Sequence, residues 1–464
     1  MAMSRRSVRS VIRLGVLFAF VLLPTALYAQ QSPWERAALN LEATFTGPLA
    51  RSLLERRGAL SESFHVTEIL RREQLFFQRA NKNVRCTRLT RAAGRAAVVA
   101  RRLLASSGVV CVNRNGREPM TRDVDQKSLP VGKLPLEHLR SLLGHLPRHD
   151  PRLLIGPQIG EDAAVIDVGD RYLVVSTDPI TFATDHIGRY AVHVNANDVA
   201  VLGARPLWFF VVLLLPEGGT TLELVEMIMT DVQITCEEVG VTLGGGHTEM
   251  TQGLARPILV GQMLGEVAPT RLVRKNRIAI GDHILLTRGV AIEGTAILAR
   301  EQCDRLRGRV DADLLERAER FLVDPGISVV SAALAAAEAD DVVHAMHDPT
   351  EGGLATGLFE LVAPSGLGLR VVREQIPVFP ETDAICTALA LDPLKLIASG
   401  ALLIAVAPAG TDSVLKAIRA LGVPVAAIGE VRPASEGITI VADGHVEPLT
   451  PADRDEIARA FEGG

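Results

Sequence analysis

From about residue 129 onward, apolar positions recur with two distinct periods. Ala163–Val168 and Arg171–Ser176 are β-rich runs on either side of Gly169-Asp170, which predicts a hairpin. Tyr190–Leu202 has helical spacing, with Gly203 where a helix C-terminus is expected to end in glycine. Pro206–Leu215 is almost continuously apolar and predicts a buried strand. Leu222–Glu238 is an amphipathic helix. Val241–Leu243 is a short strand that ends in the loop Gly244-Gly245-Gly246, and Pro257–Leu264 is a further strand. The order strand, strand, helix, strand, helix, strand, strand describes a mixed α/β unit of about 140 residues.

A second unit begins near Gly281-Asp282. Ile284–Thr287, Ala401–Val406 and Val425–Ile428 are expected strands. Helices are expected from Gly294, over Val329–Ala339 and over Thr411–Leu421. Gly437–Val446 closes the chain with a hairpin around Asp443-Gly444. No repeat of solenoid period appears. The reading is α/β (α+β) in two domains, 129–270 and 281–450.

Residues 1–119 do not fit that picture. Arg5, Arg6, Arg9 and Arg13 precede the apolar run Leu14–Ala29, a signal-like pattern over 5–29. That run is short for a span of about 20 residues and contains Pro24. The opening through about Ser52 resembles the start of a conjugative-pilus subunit, and Arg51–Arg102 is strongly basic. Export would conflict with the chemistry of the downstream region. The extension is therefore read as a fusion or a misassigned start, with Met120 as the expected start. The expected location is cytoplasmic, a membrane-tethered or exported form being the alternative.

Composition narrows the function. A net charge of -5 gives no general attraction to a phosphate backbone, and 4% aromatics leave little for base stacking. No nucleic-acid partner is expected. Cys86, Cys111, Cys236, Cys303 and Cys386 show no metal or redox spacing and are expected to be reduced bystanders.

Four acidic clusters fall at predicted strand ends or inside a helix: Gly160-Glu161-Asp162, Ser176-Thr177-Asp178, Asn195-Ala196-Asn197-Asp198 and Gly246-His247-Thr248-Glu249. Singly, each reads as a turn or a solvated face. Asp198 is the hardest to read so, because Val192, Val194, Val199 and Val201 surround it and a buried carboxylate needs a partner. Together they supply the hard oxygen ligands that magnesium uses to bridge protein to phosphate. Backbone N–H groups of a glycine loop can add phosphate contacts.

The stretches Gly-Glu-Asp-Ala-Ala-Val-Ile (160–166), Ser-Thr-Asp (176–178), Asn-Asp-Val-Ala-Val-Leu-Gly-Ala-Arg-Pro (197–206) and Gly-Gly-His-Thr-Glu (245–249) closely resemble the aminoimidazole ribonucleotide (AIR) synthase superfamily. His-Asp-Pro-Thr-Glu-Gly-Gly-Leu-Ala-Thr (347–356) resembles its hydrogenase-maturation (HypE) branch most closely. The resemblance runs from about Leu129 to Leu449. It implies a homodimer whose first-domain sheets pair into a barrel, a second domain built as an α/β sandwich, and ATP with Mg2+ as cofactors.

By position, the resemblance makes Asp162, Asp178 and Asp198 the metal ligands. Gly160, Thr177, Asn197, Gly244, Gly245, Gly246 and Thr248 become nucleotide-binding residues, with the glycines cradling phosphate. Asp348, Glu249 and His247 become the catalytic candidates, and Thr350, Gly352 and Gly353 form a loop facing substrate. The implied reaction phosphorylates or dehydrates a small amide-like substrate, with a metalloenzyme maturation partner. A thiamine-monophosphate kinase-like phosphotransferase and a non-catalytic nucleotide-binding assembly factor are the alternatives.

There are departures. The HypE branch ends in a Pro-Arg-Ile-Cys tail that carries the carbamoyl group, whereas this sequence ends Arg-Ala-Phe-Glu-Gly-Gly, so that carrier chemistry is not expected. His247 stands where relatives have an acidic residue. No reactive Cys or Sec loop of the selenophosphate synthetase type precedes Gly160. Upstream, Lys133 in Leu-Pro-Val-Gly-Lys-Leu-Pro (129–135) reads either as a surface lysine or as one that reaches a phosphate.

Overall fold

The computed structural model describes residues 131–146 and 150–462; the signal-like and basic stretches lie outside the described residues. Among the described residues, no single helix is long and apolar enough to cross a membrane.

After a short helix α1 (Leu136–Leu143), the chain builds a six-stranded sheet from β1 (Leu153–Ile155), β2 (Ala164–Asp167), β3 (Tyr172–Ile180), β4 (Arg205–Pro216), β5 (Thr242–Thr251) and β6 (Ile258–Val267). The strand order is β1-β2-β3-β6-β4-β5. Pairing is antiparallel except between β4 and β5, which run parallel because α3 (Leu222–Val239) carries the chain back between them. The hairpin at Gly169-Asp170 forms as expected, with β2 and β3 in antiparallel register.

Helix α2 (Ile187–Ala200) lies against this sheet and is buried on nearly all sides. Gly188 permits its close crossing with α3, since a Cβ there would stand 2.8 Å from the Ile228 carbonyl oxygen. Along β4, Phe209, Val211, Leu213 and Leu215 are buried toward the helices. The alternate residues Phe210, Val212 and Leu214 are only partly covered, and Trp208 is 38% exposed. An apolar strand face is thus left open on this chain.

One expectation is corrected here. Gly244, Gly245 and Gly246 are not a loop after a short strand; β5 runs straight through them to Thr251 as the sheet's edge strand. Packing explains two of the glycines. A Cβ at Gly244 would stand 2.7 Å from the Phe210 ring, and one at Gly246 would stand 1.8 Å from the Val211 carbonyl oxygen.

The second sheet has seven strands: β7 (His283–Thr287), β8 (Val343–His347), β9 (Gly368–Val372), β10 (Leu403–Val406), β11 (Val425–Arg432), β12 (Ile438–Ala442) and β13 (His445–Pro448). Their order is β13-β12-β9-β11-β7-β10-β8. The helices α4 (Ile292–Glu301), α5 (Ala312–Glu319), α6 (Val330–Glu338), α7 (Gly353–Val362), α8 (Pro380–Leu389) and α9 (Thr411–Ala420) belong to this half, and α10 (Glu456–Glu462) follows the last strand. One cluster of buried apolar residues runs from Ile155 through Phe209 and Leu286 to Ile457, so both sheets share core contacts.

Candidate functional site

Asp162 precedes β2, Asp178 lies near the end of β3, and Asp198 sits on α2. The packing of α2 on β3 sets their relation. Asn195 Oδ1 accepts from the Asp178 backbone N–H at 2.9 Å, and Asn195 Nδ2 donates to the Asp178 carbonyl. One turn later, the buried Ser176 hydroxyl donates to Asp198 Oδ2 at 2.5 Å. Gly261 on β6 makes room, because a Cβ there would meet Asn195 Nδ2 at 2.4 Å. A polar pair inside an apolar helix therefore fixes two carboxylates side by side.

Asp348 arrives from the second half, at the end of β8. Asp162, His347 and Asp348 each offer a ligand atom, all within 4.8 Å of one another. His347 is already engaged: Nδ1 lies 2.8 Å from Asp162 Oδ1, and Nε2 lies 3.1 Å from Glu360 Oε2 on α7. Lys275, only 1% exposed, lies 2.7 Å from Asp162 Oδ2 and 3.1 Å from His347 Nδ1, and it donates to the Gly160 carbonyl. Above them, Lys133 Nζ donates to Thr350 Oγ1 at 3.0 Å and lies 3.7 Å from Glu360 Oε1.

The electrostatics divide the carboxylates. Burial favours the neutral form of Asp162, but His347 and Lys275 outweigh it and hold this carboxyl well below its usual range. Burial likewise opposes ionisation of Glu360, yet Lys133 and His347 bring it down to about 2. Asp198 is pushed well up by burial and then by Asp178, Asp348 and Asp162. Asp348 is pushed well up by burial and by Asp162, and burial also raises Asp178. Both Asp348 oxygens are buried and, among the described residues, have no hydrogen-bond partner. A group that ends with two unpartnered buried oxygens beside like charges suits a hard divalent cation, which would reverse the repulsion. By this test Asp348 suits magnesium, whereas Asp162 is paired on both oxygens by His347 and Lys275, and Asp198 accepts from Ser176. His347, held on both ring nitrogens, does not need one.

The loop after Asp348 is built for close approach. Gly352 and Gly353 both have positive φ, and a Cβ on Gly353 would meet the Leu394 carbonyl oxygen at 2.6 Å. The Gly352 N–H donates to Asp455 Oδ2 at 2.5 Å, so this helix N-terminus is already occupied by a carboxylate of the chain itself.

Several expected site residues lie elsewhere. Asn197 does not face the cluster: its Nδ2 donates to the Ile327 carbonyl at 2.9 Å and its Oδ1 accepts from Val329 N–H at 2.8 Å. It clamps α2 to the second half. Gly160 serves packing, since a Cβ there would stand 2.3 Å from the Glu360 carbonyl oxygen. Thr177 is exposed, between the buried Ser176 and the half-buried Asp178, so its side chain points to the open sheet face.

The β5 residues are also displaced from the cluster. Asp178 pairs with Gly261, Gly261 with Val211, and Val211 with Gly246. At a strand spacing of about 4.8 Å, Gly246 therefore stands about 14 Å from Asp178 within this chain. Gly244, Gly245, His247, Thr248 and Glu249 share that edge strand and are exposed. His247 and Glu249 lie 3.5 Å apart as a surface pair.

Lys275, Glu360 and Asp455 were not foreseen. Lys275 sits in the basic stretch Arg274–Arg277, which reads as a solvated surface turn. Glu360 carried a signal, being a charge on the otherwise apolar stretch Leu354–Val362.

Residues 160–267 match the family model described as AIR synthase related protein, N-terminal domain, and residues 279–442 match the corresponding C-terminal domain. A hydrogenase expression/formation protein of Methanocaldococcus jannaschii is 30% identical over 295 residues, 62% of this chain and 84% of that protein. Carbamoyl dehydratase HypE of Rhizobium leguminosarum bv. viciae is 32% identical over 287 residues, 59% of this chain and 77% of that protein. A crystal structure of the hydrogenase maturation protein HypE in complex with ATP is similar with a TM-score of 0.50 and 25% identity, covering 70% of this chain and 94% of that one.

Proposed function

Because the chain belongs to the AIR synthase related family in both of its halves, we propose that it is an ATP-dependent enzyme acting on a small amide-like substrate, in the manner of a carbamoyl dehydratase. Residues 129–270 form the ATP-binding domain in this reading, and 281–450 the domain that meets substrate. The similarity to proteins named carbamoyl dehydratase HypE, and to a HypE structure holding ATP, supports it. Use of ATP also favours the cytoplasm as the working compartment.

The observation that carries the reading is Asp348, whose two buried oxygens have no hydrogen-bond partner among the described residues and lie beside Asp162 and Asp198. Asp162, Asp178, Asp198 and Asp348 would hold magnesium. Bound there, the ion would bridge carboxylates to phosphate oxygens and neutralise charge during phosphoryl transfer. Lys133, half-exposed above the cluster, is placed to pair with a phosphate. Lys275, fully buried, keeps Asp162 ionised and oriented. His347 and Glu360 brace Asp162 from its other oxygen. The chain's task is thus mainly positioning and charge balance.

The open face of β4 and the free edge of β5 support a homodimer in which first sheets pair. His247, Thr248 and Glu249 then belong to an interface strand. A metalloenzyme maturation protein is the proposed macromolecular partner.

The test is ATP binding by the full chain with magnesium and with chelator, followed by phosphate release with and without S-ethyl thiocarbamate, a primary thiocarbamate. Magnesium-dependent binding and amide-stimulated release are expected. Absent or magnesium-independent binding overturns the reading.

A further inference from the structure

The chain after β13 runs back to the head of α7, the helix that follows Asp348 and Thr350. It is tied down there on both sides. Ala452 N–H donates to Thr356 Oγ1 at 3.1 Å, Glu456 N–H donates to the Lys395 carbonyl at 3.2 Å, and Ile457, Ala458 and Ala460 are buried. Among them stands Asp455, only 4% exposed. Its Oδ1 accepts from Ile457 N–H at 2.7 Å and from Ile397 N–H at 3.3 Å, and its Oδ2 accepts from Gly352 N–H at 2.5 Å. Capping the first turn of α10 needs only the first of these bonds. The other two reach separate loops of the second half, so the carboxylate holds more than its own helix.

The head of α7 has the make-up of an anion site. Backbone N–H groups gather at the positive end of the helix dipole, and two glycines of positive φ turn the backbone there. Here the place is filled from within. Gly352 N–H goes to Asp455, Gly353 N–H to the Thr350 carbonyl at 3.0 Å, and Ala355 N–H to the Leu394 carbonyl at 2.9 Å. Among the described residues, backbone N–H groups alone meet the Asp455 charge.

Burial raises the Asp455 carboxyl to about 6 against the pull of those N–H groups, and Glu351 adds to the rise. The group is therefore ionised at neutral pH. Two more acids stand close. Glu351 accepts the Lys133 backbone N–H at 2.9 Å, and Glu293 sits beside Gly294, whose N–H donates to the Ile397 carbonyl at 3.0 Å. Ile397 thus joins Asp455 through its N–H to the turn of Glu293 through its carbonyl. The loop is backed by negative charge.

We infer that Asp455 is a specificity-determining residue, a fixed internal anion that takes up the N–H groups of the substrate-facing loop so that the substrate accepted there carries no negative charge. The inference rests on the amide reading above and narrows it to uncharged amides. A substrate phosphate or carboxylate would find the donors of Gly352 and Ile397 taken and a like charge behind them. An uncharged group meets no such penalty.

The test measures ATP-dependent phosphate release by the full chain at pH 8 with magnesium and two probes. S-ethyl thiocarbamate is uncharged, and S-carboxymethyl thiocarbamate carries a carboxylate in place of the methyl group. For the unaltered chain, the KM of the anionic probe is expected to exceed that of the uncharged one by at least about 10-fold, as for like charges brought together. In Asp455→Asn the ratio should collapse toward unity, with kcat for the uncharged probe little changed. Asp455→Glu keeps the charge and should keep the ratio. A role in stability alone would shift both probes equally. Mg-ATP affinity is expected to stay within about twofold in both variants, as for sites without shared partners. Equal KM values for the two probes in the unaltered chain overturn the inference, whether or not the variants fold. An unchanged ratio in Asp455→Asn does the same, and in both cases the amide reading stands. If the unaltered chain binds Mg-ATP but neither probe stimulates release, both are overturned.

Discussion

The Lys275 ammonium lies 2.7 Å from Asp162 Oδ2, with both side chains buried, and ties the segment after β6 to the loop before β2. The pair is completed by the Gly160 carbonyl and His347, so no charge is left alone. Breaking such a pair from one side leaves the other charge buried without compensation.

Lys275→Met is therefore expected to destabilise the protein by about 3–5 kcal/mol. Urea denaturation of the variant beside the unaltered chain checks this. A loss below about 1 kcal/mol would show that Asp162 finds another partner, as with a surface pair.

Asp198→Asn should separate folding from function. It removes a carboxyl that burial and three neighbouring aspartates push well up, while keeping an acceptor for the Ser176 hydroxyl. Thermal unfolding at pH 8 is expected at or above the original temperature, with magnesium-dependent ATP binding weakened at least about 100-fold, or about 2.7 kcal/mol. Retained nucleotide affinity would remove Asp198 from the metal site.

Asn197→Ala distinguishes a clamp from a ligand. Both amide atoms bond backbone across the two halves, at Ile327 and Val329. The loss should be about 2–3 kcal/mol of stability, as for buried groups left unpaired, with Mg-ATP affinity changed less than about threefold. A large loss of affinity with unchanged stability would restore Asn197 to the nucleotide site.

The pH dependence of stability carries a sign that Glu293 sets. Its folded-state value is raised from 4.5 to about 7, so the unfolded chain releases this proton first as pH rises. Its contribution is fully present below about 4.5 and is lost as pH rises through about 7, an effect of at most about 3 kcal/mol. The stability of Glu293→Gln minus that of the unaltered chain should thus grow between pH 4.5 and 7.5. A constant difference would mean that Glu293 ionises normally.

Val212→Glu tests the open sheet face. Val212 lies on the partly covered side of β4, so the glutamate can reach solvent in a single chain but not inside a paired sheet. Sedimentation is expected to show a dimer for the unaltered chain and a monomer for the variant. An unaltered monomer would leave the apolar face of Trp208, Phe210 and Leu214 unexplained.

Much of this protein was legible along the chain. Periodicity alone placed the hairpin at Gly169-Asp170, the buried helix around Asp198, strand β4 and the closing hairpin, because each depends on contacts between sequence neighbours. The family resemblance likewise marked Asp162, Asp178 and Asp198 as metal ligands and Asp348 as a catalytic candidate. The glycine triplet misled, since glycine serves a phosphate loop and a crowded strand equally well. Only pairing with Phe210 and Val211 decided between them. Asn197 and Asp198 are adjacent in sequence, yet a helix turns neighbours about 100° apart, so one faces the acidic cluster and the other the second half. The counter-charge on Lys275 was invisible for a further reason. Lys275 meets Asp162 across 113 residues. A lysine becomes a buried partner only when the whole chain encloses it, and no local pattern records that enclosure.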